Sequence, residues 1–190
     1  MGQPFPEGFT HRLALETDAG EIAVLMDAAI SQLLPGFLSP AQVALSRAIM
    51  GPDRQLVADG TYFVMHDTKT GRLAACGGWS ARTSPYGGHP STPERNAALL
   101  RIAKDAARIR AMYTHPDFVR RGLGRRVLEI CEGAAREAGF SRVELMATLA
   151  GEPLYRACGY HEIEPVISAS LDGVDVPGLR MGKALLHGAI

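Results

Sequence analysis

Arg108-Ile109-Arg110-Ala111-Met112-Tyr113-Thr114-His115-Pro116-Asp117-Phe118-Val119-Arg120-Arg121-Gly122-Leu123-Gly124-Arg125 is the stretch on which the fold turns. Its first seven residues set Ile109, Ala111 and Tyr113 against Arg108, Arg110 and Met112, the period-two pattern of a half-buried strand. His115-Pro116 ends that strand, because proline cannot donate to a ladder. From Leu123 onward apolar residues recur at helical spacing through Val127, Ile130, Cys131, Ala134 and Ala138. Gly139 is placed to end this helix in the left-handed conformation, and Glu132 is spaced to pair with Arg136 one turn on.

A strand, a turn with two glycines and a helix together make an anion site. The first helical turn presents N–H groups without intrahelical partners, and the macrodipole adds partial positive charge there. Gly122 and Gly124 let a ligand come close to the backbone. Arg120, Arg121, Arg125 and Arg126 crowd the same end, where their charge opposes the dipole. A bound polyanion accounts for them; a solvent-exposed basic turn before an ordinary helix is the plainer alternative. The spacing is neither G-x-x-x-x-G-K-[ST] nor the full G-x-G-x-x-G, which disfavours nucleotide-triphosphate and nicotinamide enzymes.

Outward from this centre, Arg142–Thr148 reads as a strand and Glu152–Cys158 as a short helix ended by Gly159. His161–Ser170 and Pro177–Leu185 read as a last hairpin across Asp172-Gly173. Upstream, Thr10–Glu16 alternates as a first strand. A helix follows from Ala19 to Leu34, capped by Thr17 or Asp18 and stopped by Pro35-Gly36. Ser39-Pro40 opens a second helix to Ile49, closed by Gly51-Pro52. Tyr62–His66 and Leu73–Trp79 form a hairpin. Residues 1–9, with two prolines and two glycines, read as a flexible arm, and Arg82–Glu94 as a long loop rich in Pro, Gly and Ser. Nothing marks a second domain within 10–190.

The chain of 190 residues is 46% hydrophobic and 21% charged, suited to one globular domain that buries roughly 70% of its unfolded surface. Twenty basic and twenty acidic residues balance to zero, which argues against bulk attraction to nucleic acid or to a membrane surface. The absence of aromatic residues interleaved with the arginines argues further against nucleic acid. Cys76, Cys131 and Cys158 lack metal-ligand spacing, so no metal site is expected and three buried thiols in a reducing compartment are. No basic segment followed by an apolar run appears at the N-terminus, and cytoplasm is the default location.

The run from Met112 to Arg125, with Pro153-Leu154-Tyr155-Arg156-Ala157-Cys158-Gly159-Tyr160 downstream, resembles the acetyl-CoA motif and tyrosine segment of the GNAT acyltransferase superfamily. The resemblance is specific over about 105–165 and implies an α/β (α+β) fold: a mixed, mostly antiparallel twisted sheet of six or seven strands flanked by helices. It implies an N-acetyltransferase that moves acetyl from acetyl-CoA to a small-molecule or peptide amine, without metal; a homodimer is compatible with it. An inactive coenzyme A-binding sensor is the alternative.

By the same resemblance, Arg120, Arg121, Gly122, Leu123, Gly124 and Arg125 wrap the pyrophosphate with their backbone amides. Met112, Tyr113 and Thr114 lie along the pantetheine arm, with the Met112 N–H toward the thioester carbonyl. Tyr155 is the general acid for the departing thiolate. Thr148 stands where many relatives carry a cofactor-binding Asn, Val119 where Gln or Arg is usual, and Arg108 where some carry a glutamate base. With no base to transfer, Glu144 is a candidate because it shares a strand face with Thr148, a water chain being the alternative. His66, His89 and His115 are expected to be surface or satisfied residues. Tyr86 and the 82–94 loop are candidates for the acceptor wall; so is Trp79, whose plainer reading is a strand residue.

Overall fold

The computed structural model describes residues 6–83 and 98–185. Seven strands form one sheet: β1 (Phe9–Leu13), β2 (Tyr62–Asp67), β3 (Leu73–Ser80), β4 (Ala107–Thr114), β5 (Arg142–Ala147), β6 (His161–Leu171) and β7 (Val174–Ala184). Their order is β1-β2-β3-β4-β5-β7-β6, antiparallel throughout except for the parallel β4–β5 pair. Five helices flank it: α1 (Ala19–Leu33), α2 (Pro40–Ile49), α3 (Arg54–Ala58), α4 (Leu123–Glu137) and α5 (Glu152–Ala157). The mixed, mostly antiparallel sheet expected from the resemblance is the one observed.

Local chemistry places most element ends. Ser39 and Gln42 bond reciprocally at the start of α2, Oγ accepting from the Gln42 N–H and Oε1 from the Ser39 N–H. Asp18 does stand at the start of α1, but its carboxylate does not cap that helix. It binds Arg12 through two bonds of 2.6 and 2.9 Å and the Leu15 N–H at 2.7 Å. These contacts hold the carboxyl below its ordinary pKa, the Arg12 hydrogen bond being the largest cause. Gly139 has φ +96° and closes α4 with Gly139 N–H to Arg136 O and Phe140 N–H to Ala135 O, the paired bonds of a Schellman end.

Three elements and one ion pair differ from the sequence expectation. Strand β1 starts at Phe9 and ends at Leu13, because a 3-10 turn at Glu16–Asp18 leads the chain into α1. Helix α3, absent from the sequence expectation, has only five residues, too short to show a period; Asp53 starts it by accepting from the Leu56 N–H. Strand β7 begins at Val174, immediately after a turn in which Asp172 and Gly173 both take positive φ. Pro177 is tolerated within it because β5 pairs only with Leu179–Ala184, leaving that flank of β7 without a ladder. Glu132 is buried and pairs with Lys183 of β7 at 2.7 Å instead of with Arg136.

One core cluster lies between the sheet and α4, including Met65, Ile109, Leu123, Val127, Leu128, Phe140, Val143 and Met181. On the other face α1 and α3 pack over β2 and β3 through Ile22, Leu25, Leu56, Tyr62 and Val64. Strand β3 is buried along its whole length. At Gly77 it is squeezed so tightly that an added Cβ would lie 2.2 Å from the Met112 sulfur and 2.6 Å from a Val127 methyl. Gly77→Ala is therefore expected to overpack this layer and cost about 1–3 kcal/mol of stability. A urea midpoint equal to that of the parent protein would show that the layer has slack.

Candidate active site

The site exists because β4 and β5 stop pairing. Their parallel ladder covers only Ala107–Ile109 against Val143–Leu145. Beyond it, β4 stays with β3 and β5 stays with β7, so the two central strands part. The divergence coincides with a bulge in β4. The β3–β4 register shifts between Cys76 and Gly78, and Ala111 takes φ +54°, rare for a residue with a side chain.

Three buried groups hold the bulge. The Tyr62 hydroxyl lies 3.2 Å from both the Ala111 carbonyl, to which it donates, and the Cys76 sulfur. Full burial raises the pKa of Tyr62, and pushes Cys76 up to about 12, so both stay protonated. Arg110, next to the bulge, pairs with Asp53 at 3.0 Å, their side chains 5% and 0% exposed. The third contributor is Gly77, whose missing side chain makes room for Met112.

A cavity of about 530 Å³ fills the wedge between the strands. Met112, Tyr113, Thr114, Arg120, Gly124, Thr148 and Tyr155 all line it. Arg121, Gly122, Leu123 and Arg125 are not on its wall. The Arg121 guanidinium lies 4.5 Å from the Phe9 ring centroid and 5.6 Å from that of Phe118. Leu123 is buried in the core, and Arg125 donates to the Ala157 carbonyl at 3.3 Å. Arg126 pairs with Glu129 at 3.1 Å. Three of the four arginines of the cluster are thus committed to protein partners, leaving Arg120 on the cavity wall.

At the rim, Arg120 and Gly122 have φ +64° and +80°, and Gly122 is the N-cap residue of α4 without a side-chain cap. The first-turn amides of α4 therefore stay available for an outside acceptor. A Cβ on Gly124 would meet Leu154 at 3.0 Å and the Thr114 hydroxyl at 3.6 Å, so glycine lets α4 start flush against β4 and α5.

Thr148 accepts from the Gly151 N–H at 3.1 Å and so sets the turn into α5, which carries Tyr155. The Tyr155 ring packs edge-on against Tyr160, centroids 5.8 Å apart. Its hydroxyl takes no protein partner among the described residues. Burial pushes its pKa well above the ordinary phenol value, with Cys131 and Cys158 nearby as lesser causes.

Glu144 is removed as a candidate base: it lies outside the cavity, bound to Arg108 and 3.4 Å from Arg180. His115 accepts from the Asp117 N–H at 3.2 Å and serves a turn, and His66 lies 3.8 Å from Glu21. Trp79 is buried against Phe140 in the core and off the cavity wall. Tyr86, His89 and most of the 82–94 loop lie outside the described residues. No group of three or more His, Cys, Asp or Glu residues able to hold a metal occurs among the described residues, and no helix there is long and apolar enough to cross a membrane.

The sequence reading missed Tyr62, Asp53 and the apolar wall contributed by α1 and the end of α2. The signal available was Gly77-Gly78 inside a strand, which marks a bulge or a close approach. Replacing Asp53 by Ala would remove the buried carboxylate paired with Arg110, at a cost of about 3–5 kcal/mol. Urea denaturation of Asp53→Ala measures this, with Asp53→Ala/Arg110→Met expected to recover most of the loss.

The acetyltransferase (GNAT) family model matches residues 29–160. No curated protein matches the sequence. Among solved structures, a GCN5-related N-acetyltransferase from Rhodopseudomonas palustris superposes with a TM-score of 0.69 at 20% identity, over 97% of this chain and 100% of that one. A phosphinothricin acetyltransferase from Sinorhizobium meliloti, in complex with acetyl-CoA, gives 0.62 at 18% identity, covering 94% and 89%. The ribosomal-protein-S18-alanine N-acetyltransferase of Escherichia coli gives 0.58 at 16%, covering 95% and 96%. At these identities the likeness is one of fold.

Proposed function

The chain belongs to the GNAT acetyltransferase family, and on that premise we propose that it moves an acetyl group from acetyl-CoA to a primary amine by direct attack, with Tyr155 as general acid. The observation that carries this reading is that one cavity joins the uncapped start of α4, the bulged strand β4 and the Tyr155 side chain.

The residues fit such a co-substrate. First-turn amides of α4 and the exposed Arg120 suit a diphosphate, with the dipole adding to their attraction. The separation of β4 from β5 leaves the backbone of Met112–Thr114 free on one side, so an extended amide-bearing arm can pair with it as a strand does. In this reading the Met112 N–H, next to the bulge, faces the thioester carbonyl. Loss of one such donor costs about 3–4 kcal/mol in transition-state stabilisation in well-studied acyl transfers.

Tyr155 donates its proton to the departing thiolate. Burial disfavours phenolate, so the donor form persists to higher pH than in a solvated tyrosine. The amine must itself be neutral to attack, and activity therefore rises with pH as the ammonium form disappears.

Two measurements test the assignment. Tyr155→Phe is expected to lower kcat by about 10²–10⁴ while leaving the calorimetric affinity for acetyl-CoA unchanged; unaltered turnover would remove Tyr155 from the mechanism. The pH profile of the parent protein should show no fall below about pH 10, the ordinary phenol value, because the shift of Tyr155 is upward. Binding of acetyl-CoA with no turnover on any amine would favour the sensor reading instead.

A further inference from the structure

The cavity is lined by two chemically different sets of residues. Thr114, Val119, Arg120 and Gly124 form the set near the start of α4. The other wall comes from the C-terminal half of α1, the turn after it and the end of α2: Ile30, Leu33, Leu34, Phe37, Ile49 and Met50. Ile30 and Leu34 are anchored from behind by Leu38, Leu45 and Val176, so this wall is part of a packed cluster and keeps its shape. The charged residues lining the described part of the cavity are Arg110 and Arg120, with no carboxylate among them. Arg110 is already matched by Asp53, and Arg120 stands near the start of α4.

From this asymmetry we propose that the acceptor is an amine carried on an apolar body, aliphatic or aromatic, and not a polycation. The inference rests on the N-acetyltransfer reading above and names its substrate class. A polyamine would bring several ammonium groups against hydrocarbon with no counter-charge, which costs desolvation without return. A single amine on an apolar body leaves water favourably, and the same wall disfavours its ammonium form. Desolvation thereby does part of the work that a general base would do.

The proton balance closes without such a base. The ammonium sheds its first proton to bulk water before entry, and the nitrogen forms a bond to the carbonyl carbon. The carbon–sulfur bond breaks, the thiolate takes the Tyr155 proton, the nitrogen releases its second proton to water, and Tyr155 is reprotonated from solvent.

The experiment follows thiol release from acetyl-CoA by the full chain with 4-phenylbutylamine, hexylamine, butylamine, glycine and spermidine. The expected result is a kcat/KM that rises roughly fourfold per added methylene along the alkylamines. Spermidine and glycine should fall at least tenfold below hexylamine. Phe37 is 51% exposed, so Phe37→Asp should fold normally; it is expected to shift the hexylamine-to-spermidine ratio toward spermidine by tenfold or more. Best turnover with spermidine or glycine would overturn the inference and leave N-acetyl transfer standing. So would butyryl-CoA outpacing acetyl-CoA with the same amine, since the wall would then belong to the acyl chain. Bound acetyl-CoA with no acetylated product from any amine would remove the underlying reading and this inference with it.

Discussion

A strand can satisfy its backbone on two sides only while both neighbours keep register, and β4 loses one neighbour after Ile109. The bulge at Ala111 turns the strand toward β3 and away from β5. Everything that makes the site follows from that constraint. Polar backbone is exposed along Met112–Thr114, a cavity opens in the middle of the sheet, and α4 begins at its mouth. Closing the gap by straightening β4 would require Ala111 to leave its left-handed conformation. It would also break the bond from Tyr62 and disturb the buried Arg110–Asp53 pair. The wedge is thus held open in part from behind, by Tyr62 and Asp53, which are off the cavity wall.

Electrostatics divides the cavity. At the mouth, uncapped helix amides and Arg120 concentrate positive potential where a diphosphate can be bound, while Arg121, Arg125 and Arg126 are held by aromatic rings, a carbonyl and a carboxylate. Elsewhere on its wall, α1 and α2 contribute hydrocarbon that disfavours water. In the proposed mechanism that dryness acts in one sense on each proton transfer: it keeps Tyr155 a neutral donor, and it favours the neutral form of an incoming amine. Under that proposal one environment serves both reactants, while Glu144 is held in its salt bridges outside the cavity.

Position, more than charge, is what Thr148 and Gly124 contribute. Thr148 uses its hydroxyl to fix the turn before α5, and Gly124 lets α4 approach Leu154 and Thr114 without a side chain between them. Tyr160 then packs edge-on against the Tyr155 ring. These contacts make the location of the proposed acid a property of three packed elements, so a change in any one of them moves the hydroxyl.

Period and punctuation along the chain by themselves determined the strand at β4, the helix that follows it, the Gly139 stop, the Ser39 cap and the Asp172-Gly173 turn, because each is a local balance of side-chain spacing and allowed backbone angles. They also singled out the glycine–arginine turn and, through the resemblance, the tyrosine segment. Tertiary structure alone decided that β7 lies between β5 and β6, that Glu132 meets Lys183 rather than Arg136, and that Arg121 turns to Phe9. It alone placed Tyr62 against Ala111, Asp53 against Arg110, and the hydrocarbon of α1 and α2 on the same cavity wall as Tyr155. The reason is physical: these partners are dozens of residues apart, and their attraction exists only after the chain between them has folded and the water between them has gone.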